Sequence, residues 1–357
     1  MPSCLADFII RKMPDVKWTI ISLSLFAGIT SAFVDNVATV LMVAPVAISI
    51  SNKLKIFPVN SIITIAIASN LQGAATLVGD TTSILLGGYA NLNFLDFFFL
   101  HGKPGMFWIV QISAIASTFV LMYIFRKDTQ KVKIEDITVV EDYFPPYLLV
   151  GIVLGLIVAS FIPNTPSTIN GLICMTGMII GILRELVFKK NTSIVIGVLK
   201  DMDYFTLLLL TGLFVVIAGI TEAGVVDALG KVFVQISSGN IFVIYTLLVW
   251  ISVLLSAVID NIPYIATMLP VITAIVAELS TAAGAPVDPL VLYFGLLTGA
   301  TLGGNLTPIG ASANIAALGI LRKEDHEVKA GTFMEISVPF TLSAVITGYV
   351  LVWLIWR

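Results

Sequence analysis

Asp35 and Asp260 each close a short polar cluster inside an otherwise apolar stretch. The first reads Ser31-Ala-Phe-Val-Asp35-Asn36 with Pro45 after it, and the second Ser256-Ala-Val-Ile-Asp260-Asn261 with Pro270 at the same spacing. An ionised carboxylate at bilayer depth costs several kcal/mol unless it is paired, hydrated or bound to a cation, so such a residue defaults to a functional role. The Asp, Asn and Ser oxygens offer hard ligands of the kind Na⁺ or a proton would use. An Asp-Asn pair also caps helices and turns in ordinary loops; its recurrence within a second apolar stretch favours the functional reading.

Downstream of each cluster lies a second constellation. Gly73-Ala-Ala-Thr76-Leu-Val-Gly79 recurs as Gly304-Asn-Leu-Thr307-Pro-Ile-Gly310. Glycines there let a helix unwind so that carbonyls face a cavity; close helix packing is the bland alternative. Asp80, next to Gly79, is not a packing residue. The candidate ion- or substrate-binding residues are therefore Ser31, Asp35, Asn36, Asn70, Gly73, Thr76, Gly79 and Asp80, and then Ser256, Asp260, Asn261, Gly304, Asn305, Thr307, Gly310, Ser312 and Asn314. Ser69 and Gly303 flank them. Na⁺ is expected at Asp35 and Asn36 and at Asp260 and Asn261, with no other cofactor. Asp35, Asp80 and Asp260 carry negative charge where no Lys or Arg lies at comparable depth, so an anion would need cations or protons to load first. His101, His326, Cys4 and Cys174 lack ligand-spaced partners and suggest neither a metal site nor a disulfide framework.

The elements that position these residues follow from hydropathy. The chain has 357 residues, 58% hydrophobic and 11% charged, against roughly 25% charged in soluble domains. Apolar stretches run over 18–52, 57–90, 105–125, 146–163, 167–188, 204–222, 240–281, 288–320 and 333–355. As one helix 18–52 would measure about 52 Å, too long for one crossing and too short for two with a loop. Its polar centre predicts a re-entrant helical hairpin, and 240–281 reads the same way. Stretches 57–90 and 288–320, polar and Gly-rich at mid-length, predict broken helices.

Charge fixes the orientation. If 18–52 opens to the cytoplasm, that side receives all of the 19 Lys and Arg except Lys103, Lys231 and Arg357, as the positive-inside rule requires. Five crossings then separate the hairpins, so they open to opposite sides, the mark of an inverted repeat. The fold class is an all-α polytopic membrane protein of inverted repeats, each with a re-entrant hairpin and a broken transmembrane helix. Residues 1–145 form the first repeat and 146–357 the second. Symmetry also creates an expectation about the beginning: 146–163, 167–188 and 204–222 precede the second hairpin, whereas only Met1–Lys17 precedes the first. Leu5-Ala-Asp7 resembles Val226-Asp227-Ala228, so about three N-terminal helices are expected to be missing from the first repeat, with part of the scaffold.

At these motifs the chain resembles the ion transporter superfamily, which includes the arsenite permeases, the sodium/proton antiporters of the D type, the melanosomal P protein, citrate carriers and the sodium–dicarboxylate cotransporters. The resemblance spans essentially the whole chain. It implies a cation site at each hairpin tip with its facing broken helix, namely Ser31, Asp35, Asn36, Gly73 and Thr76, and Ser256, Asp260, Asn261, Gly304 and Thr307. It also implies substrate between the tips, a homodimer and elevator-type movement of a transport domain. Dicarboxylate carriers resemble Ser-Asn-Thr at each tip, whereas this chain has Asp35-Asn36-Val37 and Asp260-Asn261-Ile262. Relatives often carry Pro-Asn after the unwound glycine, but here Thr81-Thr82-Ser83 and Ser312-Ala313-Asn314 follow.

Together these point to an ion-coupled secondary transporter of inorganic ions, through Na⁺/H⁺ exchange or arsenite-like oxyanion efflux, in the inner cell membrane as a multi-pass protein. A Na⁺- or H⁺-coupled citrate or dicarboxylate carrier is the alternative and an ion channel the next. No enzyme is expected: Gly79-Asp80 lacks a full Gly-x-Gly-Asp pattern, and no Ser/His or metal arrangement lies at depth. The partners are a small inorganic ion or carboxylate and the lipid bilayer, not nucleic acid.

Overall fold

The computed structural model describes residues 13–54, 57–131, 142–162, 166, 168–188, 197 and 204–357. Cys4 and the Leu5-Ala-Asp7 segment lie outside them. The polar cluster at Ser31–Asn36 does break the first apolar stretch into two arms, α1 (Val16–Ser31) and α2 (Asn36–Leu54). Asp15 starts the first arm by accepting from Trp18 N at 2.9 Å. Sixteen residues in α1 reach only about 24 Å, short of the ~30 Å hydrocarbon core, which is what a re-entrant arm requires. Next come α3 (Val59–Gly73) and α4 (Thr81–Ala90), the two halves of a broken helix, and then α5 (Met106–Ile124).

The same plan recurs later in the chain. Arms α10 (Ile241–Ser256) and α11 (Asn261–Ala283) form the second hairpin, α12 (Leu290–Gly303) and α13 (Ser312–Lys323) the second broken helix, and α14 (Ala330–Trp356) the closing helix. Asn240 caps α10 as Asp15 caps α1. Pro45 and Pro270 sit inside the second arms. Pro58 and Pro289 precede α3 and α12 with nearly equal backbone angles, φ −72° and ψ −12° against φ −74° and ψ −14°. Asp80 and Ala311, the residues that restart each broken helix, are equally extended.

Contacts at the bundle ends show that the hairpins open in opposite directions. Val16 N donates to Gln130 O at 3.0 Å and Lys17 N to Asp128 O at 2.9 Å, so α1 begins where α5 ends. At the other end the Lys103 ammonium lies 5.4 Å from the Trp356 ring, where α5 begins and α14 ends. Phe242, at the start of α10, packs 4.7 Å from Trp353 at that same end. The first hairpin therefore opens at one end of the bundle and the second at the other.

Among the described residues, α6 (Phe144–Ser160), α7 (Ile169–Phe188) and α8 (Tyr204–Glu222) follow the first unit. Large apolar side chains on them, Leu154, Leu172, Leu183 and Phe214 among others, are exposed; a bilayer covers such faces, water would not. Helices α5, α7, α11 and α14 are each long and apolar enough to cross a membrane. Hydropathy gave no sign of α9 (Val225–Ile236), which bends by 119° into α10 and lays Gly230 against Ala274 of α11. His101 proves to be a turn residue: with Gly102 it takes positive φ between β1 (Phe99–Leu100) and β2 (Lys103–Pro104), the geometry of a two-residue hairpin turn.

Candidate functional site

Both tips end against the break in their own helix. Thr76 donates its hydroxyl to Ala32 O, and Thr307 does the same to Ala257 O. Gly79 lies so close that a Cβ there would stand 2.6 Å from Gly73 O and 2.8 Å from Ser31 O. A Cβ on Gly310 would stand 2.5 Å from Gly304 O and 2.6 Å from Ser256 O. Neither glycine has positive φ. Of the two roles expected for these glycines, unwinding and close packing, the second is what the contacts at Gly79 and Gly310 display: they leave room for the tip's carbonyls.

Each acid caps the second arm of its hairpin. Asp35 accepts from Ala38 N at 3.1 Å and is otherwise exposed. Asp260 accepts from Ile262 N at 3.0 Å with one oxygen and from the Ser312 hydroxyl at 2.9 Å with the other. Capping and cation binding are compatible here, because a carboxylate has about four lone-pair sites and a cap occupies one. The N–H groups and positive dipole end at the start of α2 and α11 face the same centre.

Asn70 joins the two halves. Its Oδ1 accepts from Asn36 at 3.1 Å and from Asn261 at 3.5 Å, and its Nδ2 donates to Thr301 O at 2.8 Å and Asn305 Oδ1 at 3.1 Å. Asn305 returns a bond to Ile67 O at 2.9 Å. All four asparagines are buried. One amide thus touches the tip of each hairpin and the break of the opposite helix.

Asp80 is buried at the start of α4, its Cβ beside Gly73 at the first break. Thr82 donates to its Oδ2 at 2.8 Å, and Thr301 of the other half donates to Thr82 at 3.0 Å. Sequence reasoning had passed over Thr82 and Thr301. Thr301 stands in register with Asn70, so extending the motif comparison by a turn towards the N-terminus would have found it. In the second half Ala311 and Ala313 replace Asp80 and Thr82. There Asn314 donates to Gly304 O at 3.2 Å and to Thr307 O at 3.1 Å.

A cleft of about 520 Å³ lies elsewhere, lined by Leu77, Asn91, Asn93, Asn170 and Cys174 among others. Among the described residues that line it there is no carboxylate. The acidic cluster at the tips, and not that cleft, is where charge chemistry can occur.

Residues 2–299 match the model of the citrate transporter family, CitMHS. An uncharacterized transporter of Mycobacterium tuberculosis is 34% identical over 341 residues, covering 94% of this chain and 76% of the relative. The P protein of Homo sapiens is 26% identical over 406 residues, covering 92% of this chain and 48% of that protein. Among solved structures, the YdaH transporter of Alcanivorax borkumensis superposes with a TM-score of 0.60 at 16% identity, covering 98% of this chain and 80% of the other.

Proposed function

Because this chain belongs to the citrate transporter family of membrane-embedded secondary transporters, we propose that it couples cation movement to the transport of a small inorganic ion. In this reading it exchanges Na⁺ for H⁺ or exports a weakly ionised oxyacid such as arsenite. The observation that carries the reading is the charge balance at the tips. Asp35, Asp80 and Asp260 gather there, and among the described residues no Lys or Arg forms an ion pair with any of them. Like charges in a poorly polarisable site repel strongly, so a cation or proton stabilises the cluster and a bare anion does not. Alternating exposure of the two oppositely opening hairpins, with a transport domain moving elevator fashion in a homodimer within the cell membrane, completes the proposal.

Family membership favours a second reading, cation-coupled citrate transport. It makes the same demand on the site, because citrate can approach three carboxylates only after cations have loaded. Val37 and Ile262, where a hydroxyl would meet a substrate carboxylate, weigh against it.

Proteoliposomes carrying the purified chain separate these readings when given Na⁺, H⁺, arsenite and citrate in turn. We expect Na⁺/H⁺ exchange or arsenite flux, with coupling abolished by Asp35→Asn or Asp260→Asn while each variant stays folded. Citrate uptake in a Na⁺ gradient, with neither Na⁺/H⁺ exchange nor arsenite flux, would replace the first reading with the second.

A further inference from the structure

Laid over one another in register, the two halves differ in which buried polar atoms are satisfied. The Ser256 hydroxyl donates to Ala300 O at 2.7 Å, but its counterpart Ser31 is fully buried and its hydroxyl has no hydrogen-bond partner. Asn314 fills its place in the second half by donating to Gly304 O and Thr307 O. Its counterpart Ser83 is shorter, fully buried, and likewise unpartnered. Ser69, in register with Ala300, is a third buried hydroxyl without a partner. In the second half Asn314 Oδ1 is left over at the break, and the Thr298 hydroxyl a turn before Thr301 in α12. Buried polar side chains without a partner are rare in native folds, and a bound ion is one of the few things that explains them.

The three serines lie on the elements that meet at the first helix break, the tip end of α1 and the facing ends of α3 and α4. Ser31 ends α1 against Gly79, Ser69 precedes the Asn70 junction, and Ser83 lies in the first turn of α4, its N–H bonded to Asp80 O at 3.1 Å. Asp80 is the acid that the second half lacks. Oxygen donors and a carboxylate are what a hard monovalent cation requires. In the second half the two N–H bonds of the Asn314 amide point at the carbonyls of Gly304 and Thr307, the counterparts of Gly73 and Thr76. The amide presents positive hydrogens where a cation would otherwise bring charge.

We propose that the two halves are unequal in cation binding: the first half holds one Na⁺ through the Ser31 and Ser83 hydroxyls and the Asp80 carboxylate, and the Asn314 amide takes the equivalent position in the second. The protein then binds one Na⁺ per chain. This rests on the reading that the tips carry coupling cations, and it assigns the number and the place.

Equilibrium binding of ²²Na⁺ to the full chain purified in detergent tests it. The expected result is one Na⁺ per chain, an apparent affinity at least about tenfold weaker in Ser83→Ala, and a second bound Na⁺ in Asn314→Ser, which gives the second half the residue of the first. Ser83→Ala removes only an unpartnered hydroxyl and folds as the parent does, so it decides the matter even if Asn314→Ser does not fold. Two Na⁺ per parent chain, or Ser83→Ala binding as tightly as the parent, overturns the inference and leaves the coupling proposal standing. No Na⁺ bound by the parent at any concentration overturns the Na⁺-coupled form of that proposal together with this one.

Discussion

Asp35 and Asp260 occupy equivalent points on equivalent backbones, yet Asp35 makes one hydrogen bond and is exposed, whereas Asp260 makes two and is half-buried. The helix breaks differ in the same sense. The first restarts at Asp80, which holds Thr82, and the second at Ala311, where Ser312 reaches back to the tip acid instead. The Gly79 and Gly310 contacts, the Thr76 and Thr307 bonds and the Pro58 and Pro289 angles match closely. What this teaches is that the duplicated part is the frame. The frame depends on backbone approach and is shared by the two halves, whereas the side chains that face the centre differ and take unequal electrostatic roles.

The sharpest way to break that comparison is at the unmatched acid. Asp80→Asn is expected to abolish cation-coupled flux in proteoliposomes, and adding Ala311→Asp to it is expected not to restore flux; restoration would make the halves interchangeable. Next in size are the matched glycines. Gly79→Ala and Gly310→Ala each drive a methyl into carbonyl oxygens at less than 3 Å, and each should lower stability by about 1–3 kcal/mol, read as a fall in melting temperature. A large loss from only one of them would mean that the frames are not equivalent.

Asn70→Ala comes third. It strands Asn36, Asn261 and Asn305 without their buried partner, which should cost about 1–3 kcal/mol in thermal unfolding of the purified protein. Thr301→Val, at the matching position, loses a single hydroxyl bond and should cost less. The smallest effect is expected from Ser312→Ala, where releasing one oxygen of a half-exposed carboxylate is worth about 1 kcal/mol. Because Asp35 has no such partner, Thr81→Val in the first half should change nothing measurable in the same assay.

Most of the frame was legible in the sequence because polar residues are conspicuous inside apolar stretches. Ser31–Asn36 and Ser256–Asn261 marked the tips, Gly73–Asp80 and Gly304–Gly310 marked the breaks, and the opposite openings followed from the distribution of Lys and Arg. The helix α9 escaped because its 12 residues are amphipathic and lie beside a strongly apolar span that dominates any hydropathy window. Thr82 and Thr301 escaped for another reason. Their importance comes from one contact between residues far apart in the chain, and spacing along a sequence carries no record of which distant residues meet. The same holds for Asn70, which was picked out as one polar residue among several and turns out to bridge both tips. Glycine was recognised at the right positions, with unwinding and close packing both expected, and close approach is what the contacts display.

The central claim is that two acidic tips reach one buried centre from opposite ends of the bundle. Its most direct test is labelling of single cysteines, Asp35→Cys and Asp260→Cys, made in a background without Cys4 and Cys174 and embedded in sealed vesicles. A membrane-impermeant thiol reagent should reach the two positions from opposite sides, each slowly compared with a cysteine in a solvated loop. Fast labelling of both positions from the same side would contradict the account.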